Sequence, residues 1–228
     1  MNRKLILFDI DGTLVWTRGA GREATRHAMI EVFGTCAALD THHFGGKTDW
    51  QTLVELLHAH GMTDADIQRR MPDYNVVMGQ HVERVIGNYP VTACPGALDL
   101  VNELRQRDDV VLGLVTGNVA NAAPHKIAAA GFDPAHFVIG AYGNEAMLRD
   151  HLPALAVKRA EHYAGHSFAP RDVWVIGDTA ADVSCARAIG AVVVGVKTGF
   201  GGAPEEVAAA QPDYLLNDLT EFWNVIQF

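Results

Sequence analysis

The sequence lacks the features of several protein classes. Its 228 residues include only three cysteines, Cys36, Cys94 and Cys185, and no C-x-x-C pair. We therefore expect neither a zinc site nor a disulfide framework, and dispersed cysteines in an odd number are typical of a reducing compartment. No stretch approaches the ~20 apolar residues of a membrane helix, and the first apolar run is too short for a signal peptide. We expect a cytoplasmic protein with no membrane partner.

An excess of positive charge is also missing. The formal net charge is −9, and nucleic-acid binding normally requires a basic face, so no nucleic-acid partner is expected. The hydrophobic share of 49% and the charged share of 20% are ordinary for a globular protein. The length suits one large domain, or a core domain with a smaller insertion. Nothing in the sequence predicts an oligomeric state.

Strand and helix patterns alternate in the second half of the chain. Runs rich in Val and Ile predict strands at 4–10, 110–117, 136–141, 172–178, 191–196 and 213–216. Helical patterns lie at 96–108, 118–132 and 179–191. Continuously apolar strands separated by helices are typical of a parallel sheet that is buried on both faces. The sequence therefore predicts an α/β fold.

Residues 16–89 differ from the rest because they show helical patterns without a convincing strand. These patterns lie at 22–33, 49–61 and 72–87. Thr63 followed by Asp66 indicates the N-cap of a further short helix. The block is too long for an ordinary crossover connection. We therefore predict a core domain at 1–15 and 90–228 that carries an inserted helical subdomain at 16–89.

Polar residues follow three of the predicted strands: Asp9, Asp11, Thr116, Gly117, Asn118, Asp178 and Asp182. Functional groups of open parallel sheets collect at the carboxyl ends of the strands, near the point where the strand order reverses. Four carboxylates at one edge repel each other and need a cation. Their oxygens suit a hard ion such as Mg²⁺, which leaves positions open for a phosphate oxygen.

Three motifs at these positions resemble those of the haloacid dehalogenase-like hydrolases. They are "DIDGT" at 9–13, "LVTGN" at 114–118 and "GDTAAD" at 177–182. The helical block lies where that family carries a C1-type cap, and the chain looks closest to the phosphoglycolate phosphatase-like branch. The resemblance implies a Rossmann-like parallel sheet with an all-helical C1 cap. It also implies a Mg²⁺-dependent phosphatase that acts on a small phosphorylated metabolite.

The resemblance also implies catalytic roles. Asp9 matches the nucleophile that forms an aspartyl-phosphate, and Asp11 matches the general acid that later activates water. The metal ligands of the family correspond here to Asp9, the backbone carbonyl of Asp11, Asp178 and Asp182.

The phosphoryl group is expected to bind near the same strand ends. By the same resemblance, Thr116 hydrogen-bonds the phosphoryl group, and backbone N–H groups around Asp11 and Gly12 stabilise its oxygens. We expect Gly117 and Asn118, which follow Thr116 directly, to bind the substrate as well.

The sequence differs from the family in the third motif. Relatives carry a Lys that neutralises the phosphoryl charge, often in a K-P-x-P loop. The equivalent loop here, "GNEAMLRDHLP" at 143–153, has Arg149 as its only Lys or Arg. Lys126 and Lys158 are the alternatives. We favour Lys126, because relatives without the K-P-x-P loop have a Lys in a similar setting, whereas Lys158 has the profile of an exposed helix position.

The "GGKT" stretch at 45–48 is not a nucleotide-binding P-loop, because Thr41 stands where that motif needs Gly and no apolar strand precedes it. We interpret it as a cap loop from which Lys47 reaches an anionic substrate. Other functions remain open at this point. A sugar phosphomutase shares the fold, a dehalogenase would need neither Asp11 nor a metal, and a phospho-acceptor domain would be about half as long.

Overall fold

The computed structural model describes residues 3–200 and 202–225. Its main sheet has six parallel strands in the order β5-β4-β1-β6-β7-β8. These strands are β1 (Lys4–Phe8), β4 (Val110–Thr116), β5 (Ile139–Tyr142), β6 (Val173–Gly177), β7 (Val192–Val196) and β8 (Tyr214–Leu216). Each overlaps one predicted strand, so the predicted α/β fold with a parallel sheet is confirmed.

Strand β1 lies at the centre of the sheet, between β4 and β6. Ile6 and Phe8 face one buried layer, whereas Leu5 and Leu7 face the other, as the two-residue period of a strand requires. The helices that cover the sheet are α4 (Ala97–Leu104), α5 (Ala123–Ala129), α6 (Leu152–Ala164), α7 (Ala180–Arg187), α8 (Ala203–Ala209) and α9 (Phe222–Val225). Burial on both faces explains why the strand runs contain so few polar residues.

In the sequence, three helices separate β1 from the later strands of the main sheet. They are α1 (Ala20–Phe33), α2 (Asp49–Leu57) and α3 (Asp64–Val85). They share a hydrophobic cluster that includes Met29, Leu53 and Tyr74, and Val119 and Ala122 from the segment after β4 complete it. We call residues 17–91 the helical insertion. No helix in the described parts of the chain is long and apolar enough to cross a membrane.

Helix α3 corrects one prediction. The sequence suggested a short helix after Thr63 and a separate helix from Pro72, but the structure has one continuous helix of 22 residues with Pro72 inside it. The Thr63–Asp66 capping box does begin the helix. An interior proline removes one backbone hydrogen bond and crowds the carbonyl four residues earlier. Burial of Met71 and Tyr74, on either side of the exposed Pro72, holds the helix against its neighbours despite this cost.

Two short strands were not predicted at all. Strands β2 (Val15–Trp16) and β3 (Thr92–Ala93) pair in an antiparallel ribbon where the chain enters and leaves the helical insertion. Two-residue strands have no detectable alternation, which explains why the sequence did not reveal them. The sequence predicted an exposed helix position at Lys158 but not the extent of α6 around it. The helix predicted at 49–61 is shorter in the structure, because a 3₁₀ turn follows Leu57.

Candidate active site

Four neighbouring strands deliver side chains to one cleft of about 920 Å³. Asp9 follows β1, Thr116 ends β4, and Asp178 follows β6. Arg149 lies in a short 3₁₀ turn after β5. Because β1 has β4 on one side and β6 on the other, the strand order reverses here, where parallel sheets place their ligands.

The carboxylates of Asp9, Asp178 and Asp182 form a buried cluster. Each offers an oxygen that lies within 4.8 Å of an oxygen of the other two. Burial, together with the nearby charges of Asp182 and Asp11, raises the pKa of Asp9 to about 6, although Arg149 opposes the shift. Burial and the charges of Asp182 and Asp9 raise the pKa of Asp178 well above its ordinary value. The cluster is therefore electrostatically unfavourable unless cations offset it.

Arg149 supplies one of these cations. Its Nη2 donates to Asp182 and lies 3.1 Å from Oδ1 of Asp9. Burial opposes its charge, but Asp182 and Asp9 raise the pKa of Arg149 above its already high value. The Nε–H of Arg149 is buried. Burial raises the pKa of the neighbouring Cys185 thiol, and Arg149 opposes that shift through its charge and a side-chain hydrogen bond.

The donor set also fits a divalent metal ion. Oxygen-rich carboxylate sites suit hard cations, and Asp178 has only one hydrogen-bond donor among the described residues, the hydroxyl of Thr13 at 2.9 Å. Both carboxylate oxygens of Asp182 already accept hydrogen bonds, one from Arg149 and the other from Thr179. Asp9 and Asp178 are therefore the carboxylates best placed to bind a cation directly.

The turn after Asp11 brings Asp178 close to β1. Gly12 has a φ of 88°, and a Cβ there would lie 2.4 Å from Oδ2 of Asp178, so only glycine fits. The N–H of Gly12 donates to the carbonyl of Val15. Gly12 thus serves the turn, and its N–H is already paired with Val15.

Asp11 is held by a second group of polar side chains. Its Oδ2 accepts from Lys126 Nζ at 2.7 Å and from Asn118 Nδ2 at 2.8 Å, and its Oδ1 accepts from Thr17 at 3.0 Å. Asn118 also donates to the hydroxyl of Thr116 and accepts from Lys126. Burial opposes the charge of Asp11, but Lys126 and these hydrogen bonds outweigh it and lower the pKa of Asp11.

Most of the predicted site residues line the cleft: Asp9, Asp11, Lys47, Thr116, Gly117, Asn118, Lys126, Arg149 and Asp178. The Nζ of Lys47 is bonded to Glu55 at 2.5 Å. Lys158 is exposed on α6 and does not belong to the cleft lining.

The sequence analysis missed three residues of the site. Thr13 and Thr17 hydrogen-bond the carboxylates of Asp178 and Asp11, and Asp49 is a buried carboxylate in the cleft wall. Thr13 belongs to the "DIDGT" motif and was recognisable from it. Asp49 gave no signal, because an acidic residue in the first turn of a helix is common for local reasons.

The fold and the site together define an α/β enzyme with a carboxylate cluster at the switch point of its sheet. A model of the haloacid dehalogenase-like hydrolase family matches residues 3–190. A phosphoglycolate phosphatase from Synechococcus elongatus is 27% identical in an alignment of 215 residues that covers 92% of this chain and 91% of the relative. The chain belongs to the haloacid dehalogenase-like hydrolase family and is a hydrolase, which confirms the resemblance seen in the motifs.

Solved structures share the fold at low identity. A predicted phosphoglycolate phosphatase from Haemophilus somnus superposes with a TM-score of 0.69 at 20% identity, covering 100% of this chain and 99% of its own. CbbY from Rhodobacter sphaeroides in complex with phosphate gives a TM-score of 0.70 at 19% identity, with 96% of each chain covered.

Proposed function

We propose that this hydrolase is a Mg²⁺-dependent phosphatase, a phosphoric monoester hydrolase that works through an aspartyl-phosphate on Asp9. One observation carries the proposal. Asp9 contacts Arg149, and Asp11, two residues later, is bound by Lys126 in the same cleft. A nucleophile and a proton-transfer group thus lie side by side, each next to a cation, which suits the transfer of an anionic phosphoryl group.

In the first step, a carboxylate oxygen of Asp9 attacks phosphorus. The bond between phosphorus and the ester oxygen breaks, and its electron pair goes to that oxygen, which takes a proton from Asp11. The phosphate dianion that arrives beside Asp11 raises the pKa of this carboxyl by like-charge repulsion, so that it carries the proton in the complex.

In the second step, water attacks the same phosphorus atom. Asp11, now ionised, takes a proton from the water, and the bond between phosphorus and Asp9 breaks to return the carboxylate and free phosphate. The contacts of Lys126 and Asn118 with Asp11 favour its ionised form, which is the form that accepts this proton.

The two buried cations have different proposed roles. Arg149 touches Asp9 and lines the cleft, so it is the better placed to bind a phosphoryl oxygen. Lys126 touches Asp11 and is the better placed to control proton transfer. Arg149 thus takes the role that the sequence analysis preferred to give to Lys126.

Asp9 and Asp178 would hold Mg²⁺, with the backbone carbonyl of Asp11 as a further ligand and Asp182 in support. When bound, the ion supplies positive charge that offsets the carboxylate cluster and the phosphoryl oxygens. We also keep the hydroxyl of Thr116, which lines the cleft, as a hydrogen-bond partner of the phosphoryl group.

The substrate we propose is a small phosphorylated metabolite, with phosphoglycolate as the first compound to test because of the relative from Synechococcus elongatus. The cleft wall includes Arg18, Arg22 and Lys47. Arg18 stacks over Trp16 and has no carboxylate partner among the described residues. These cations favour an anionic ligand. The helical insertion is proposed as the cap subdomain, and the three free cysteines are compatible with the cytoplasm.

The test is phosphate release from p-nitrophenyl phosphate in the presence of Mg²⁺. Asp9→Asn keeps the size of the side chain but removes the nucleophile, so we expect activity to fall by at least about a thousandfold. EDTA should suppress the wild-type enzyme and added Mg²⁺ should restore it. Asp64→Asn, on the exposed start of α3, is the control and should retain wild-type activity.

Substantial release by Asp9→Asn, or in EDTA, would contradict the proposal. Turnover of glucose 1-phosphate without net release of phosphate would instead identify a mutase.

A further inference from the structure

Residues 47–50 of the helical insertion, here called the docking segment, bind directly to two loops of the sheet. The N–H of Asp49 donates to the carbonyl of Gly117 at 2.7 Å, and the N–H of Trp50 donates to that of Gly143 at 3.2 Å. The hydroxyl of Thr48 donates to the carbonyl of Met147 at 2.7 Å. The docking segment thus spans the loops that follow β4 and β5, which carry Asn118 and Arg149.

Two glycines make this close approach possible. A Cβ at Gly117 would lie 2.0 Å from the carbonyl oxygen of Lys47. A Cβ at Gly143 would lie 1.8 Å from the carbonyl oxygen of Gly117 and 2.9 Å from the nitrogen of Asp49. Gly117, which the sequence analysis assigned to substrate binding, therefore has a direct structural reason to be glycine: the backbone of the insertion packs on it.

The side chain of Asp49 adds a contact that backbone docking does not require. Its Oδ2 accepts from the N–H of Val119 at 2.9 Å, and the residue is 9% exposed. Burial raises the pKa of Asp49 to about 6, although Lys126 and the Val119 bond oppose the shift. A buried carboxylate with a raised pKa is unfavourable for folding at neutral pH, which together with its place in the cleft wall marks Asp49 as a candidate functional residue.

The contacts continue from Asp49 to Asp11. Val119 follows Asn118 in the chain. The side-chain Nδ2 of Asn118 donates to Asp11, and its side-chain Oδ1 accepts from Lys126. Lys126 carries its positive charge close enough to both Asp49 and Asp11 to act on the pKa of each. Asp49 therefore constrains the loop that presents Asn118, and it provides a second negative charge for Lys126.

We propose that Asp49 is a positioning residue: docked on Val119, it fixes the Asn118 loop and shares the charge of Lys126, so that the Asp11 carboxyl keeps the orientation in which it gives its proton to the leaving oxygen only while the helical insertion is docked. This inference rests on the proposed phosphatase function. It assigns Asp49 no contact with the reacting atoms.

The experiment compares two esters of similar shape, phenyl phosphate and p-nitrophenyl phosphate. Phenolate is strongly basic and needs a proton as it leaves, whereas p-nitrophenolate leaves without one. Asp49→Asn and Asp49→Ala are measured against Asp64→Asn, a closely matched control. Asp64 is also the first residue of its helix, also follows a capping threonine, and is exposed.

We expect Asp49→Asn to lower kcat/KM for phenyl phosphate by about tenfold and for p-nitrophenyl phosphate by less than about threefold. Asp49→Ala, which also loses the acceptor for Val119, should show a larger difference between the esters. Asp64→Asn should match the wild type on both. The melting temperature of Asp49→Asn at neutral pH should not fall, because the substitution removes a buried charge.

Equal losses on both esters, or an Asp49→Asn variant that matches Asp64→Asn, would overturn the inference. If Asp49→Ala does not fold, Asp49→Asn decides alone. A wild-type enzyme that hydrolyses neither ester would contradict the proposed function instead, so the two failures are distinct.

Discussion

At the scale of single residues, the site consists of buried charges of opposite sign. Arg149 binds Asp9 and Asp182, while Lys126 binds Asp11. Such pairs are costly to break, because removing one partner leaves the other as an uncompensated buried charge. The three cations considered from the sequence therefore have very different surroundings, and substitution should separate them.

Arg149→Ala should be the most damaging of these substitutions. It leaves Asp9 and Asp182 buried without their cation, so we expect about 3–5 kcal/mol less stability and at least about a hundredfold lower kcat. Arg149→Lys keeps the positive charge but loses the planar guanidinium group, so its stability and kcat should lie between those of the wild type and Arg149→Ala. Urea denaturation and p-nitrophenyl phosphate kinetics check this. Lys158→Ala, on the exposed face of α6, is the control, and a comparable loss there would contradict the assignment.

Asp49 should also make stability depend on pH. The pKa of its carboxyl is ordinarily 3.8 but about 6 in the folded protein, so the folded state binds this proton more tightly than the unfolded state. The contribution of Asp49 to the free energy of unfolding is therefore largest below both pKa values and is lost as the pH rises through about 6. The neighbours that act on it or respond to it are Lys126, Asp11 and Tyr74.

Asp49→Asn cannot titrate, so it should gain stability relative to the wild type between about pH 4 and pH 7, by up to about 3 kcal/mol. Urea denaturation across this range measures the difference. If the free energies of unfolding of the two proteins changed with pH in the same way, Asp49 would not be the source of the pH dependence.

The acids that follow the strands were predictable because a parallel sheet puts its carboxyl ends at one edge, and Asp9, Asp11 and Asp178 do meet there. The partners of these acids were less accessible. Which cation faces Asp9 depends on the path of the loop after β5, and the place of Asp49 depends on how the insertion packs on the sheet. Neither is encoded in local spacing.

At the scale of elements, the loops after β4 and β5 do two tasks at once. They carry Asn118 and Arg149 into the cleft, and they receive the docking segment. The strands and most helices were predictable from apolar runs and periodicity. The continuous course of α3 through Pro72 was not, because the tertiary packing of Tyr74 and Met78 outweighs the local preference of proline.

Gly117→Ala should separate the docking segment from the sheet. The new Cβ would lie 2.0 Å from the carbonyl oxygen of Lys47, so the segment must move, and we expect a loss of about 1–3 kcal/mol in stability together with reduced activity. Thermal melting and kinetics measure both effects.

Gly87→Ala is the matched control, since no atom lies within 4 Å of the Cβ that it would add. We expect its stability to stay within about 0.5 kcal/mol of the wild type. A harmless Gly117→Ala would show that the contact is not maintained in solution.

At the scale of the whole molecule, the carboxylate cluster should couple metal binding to folding. A ligand that binds only the folded state stabilises it by an amount that grows with the logarithm of the ligand concentration, about 2.7 kcal/mol at a hundred times the dissociation constant. Mg²⁺ should therefore raise the melting temperature by roughly 5–10 °C. Sodium chloride of equal ionic strength is the control.

Asp178→Asn should abolish this Mg²⁺-dependent rise. Without Mg²⁺ the variant should melt no lower than the wild type, because burial beside Asp182 and Asp9 makes the charge of Asp178 costly. Asp178 would be excluded as a ligand if Mg²⁺ left the melting temperature of the wild type unchanged, or if it raised that of the variant by as much as that of the wild type.

The ribbon of β2 and β3 has a mechanical consequence. Because Val15 pairs with Ala93 and Trp16 with Thr92, the chain enters and leaves the helical insertion at adjacent points. A subdomain joined to the core at two adjacent points rotates most easily about the line through those points, which makes the ribbon a hinge. Such a rotation would have to break the hydrogen bonds of residues 47–50 and also the contacts between α3 and the segment before α5, among them the bond from the N–H of Asn121 to Asn75, while the ribbon stays paired.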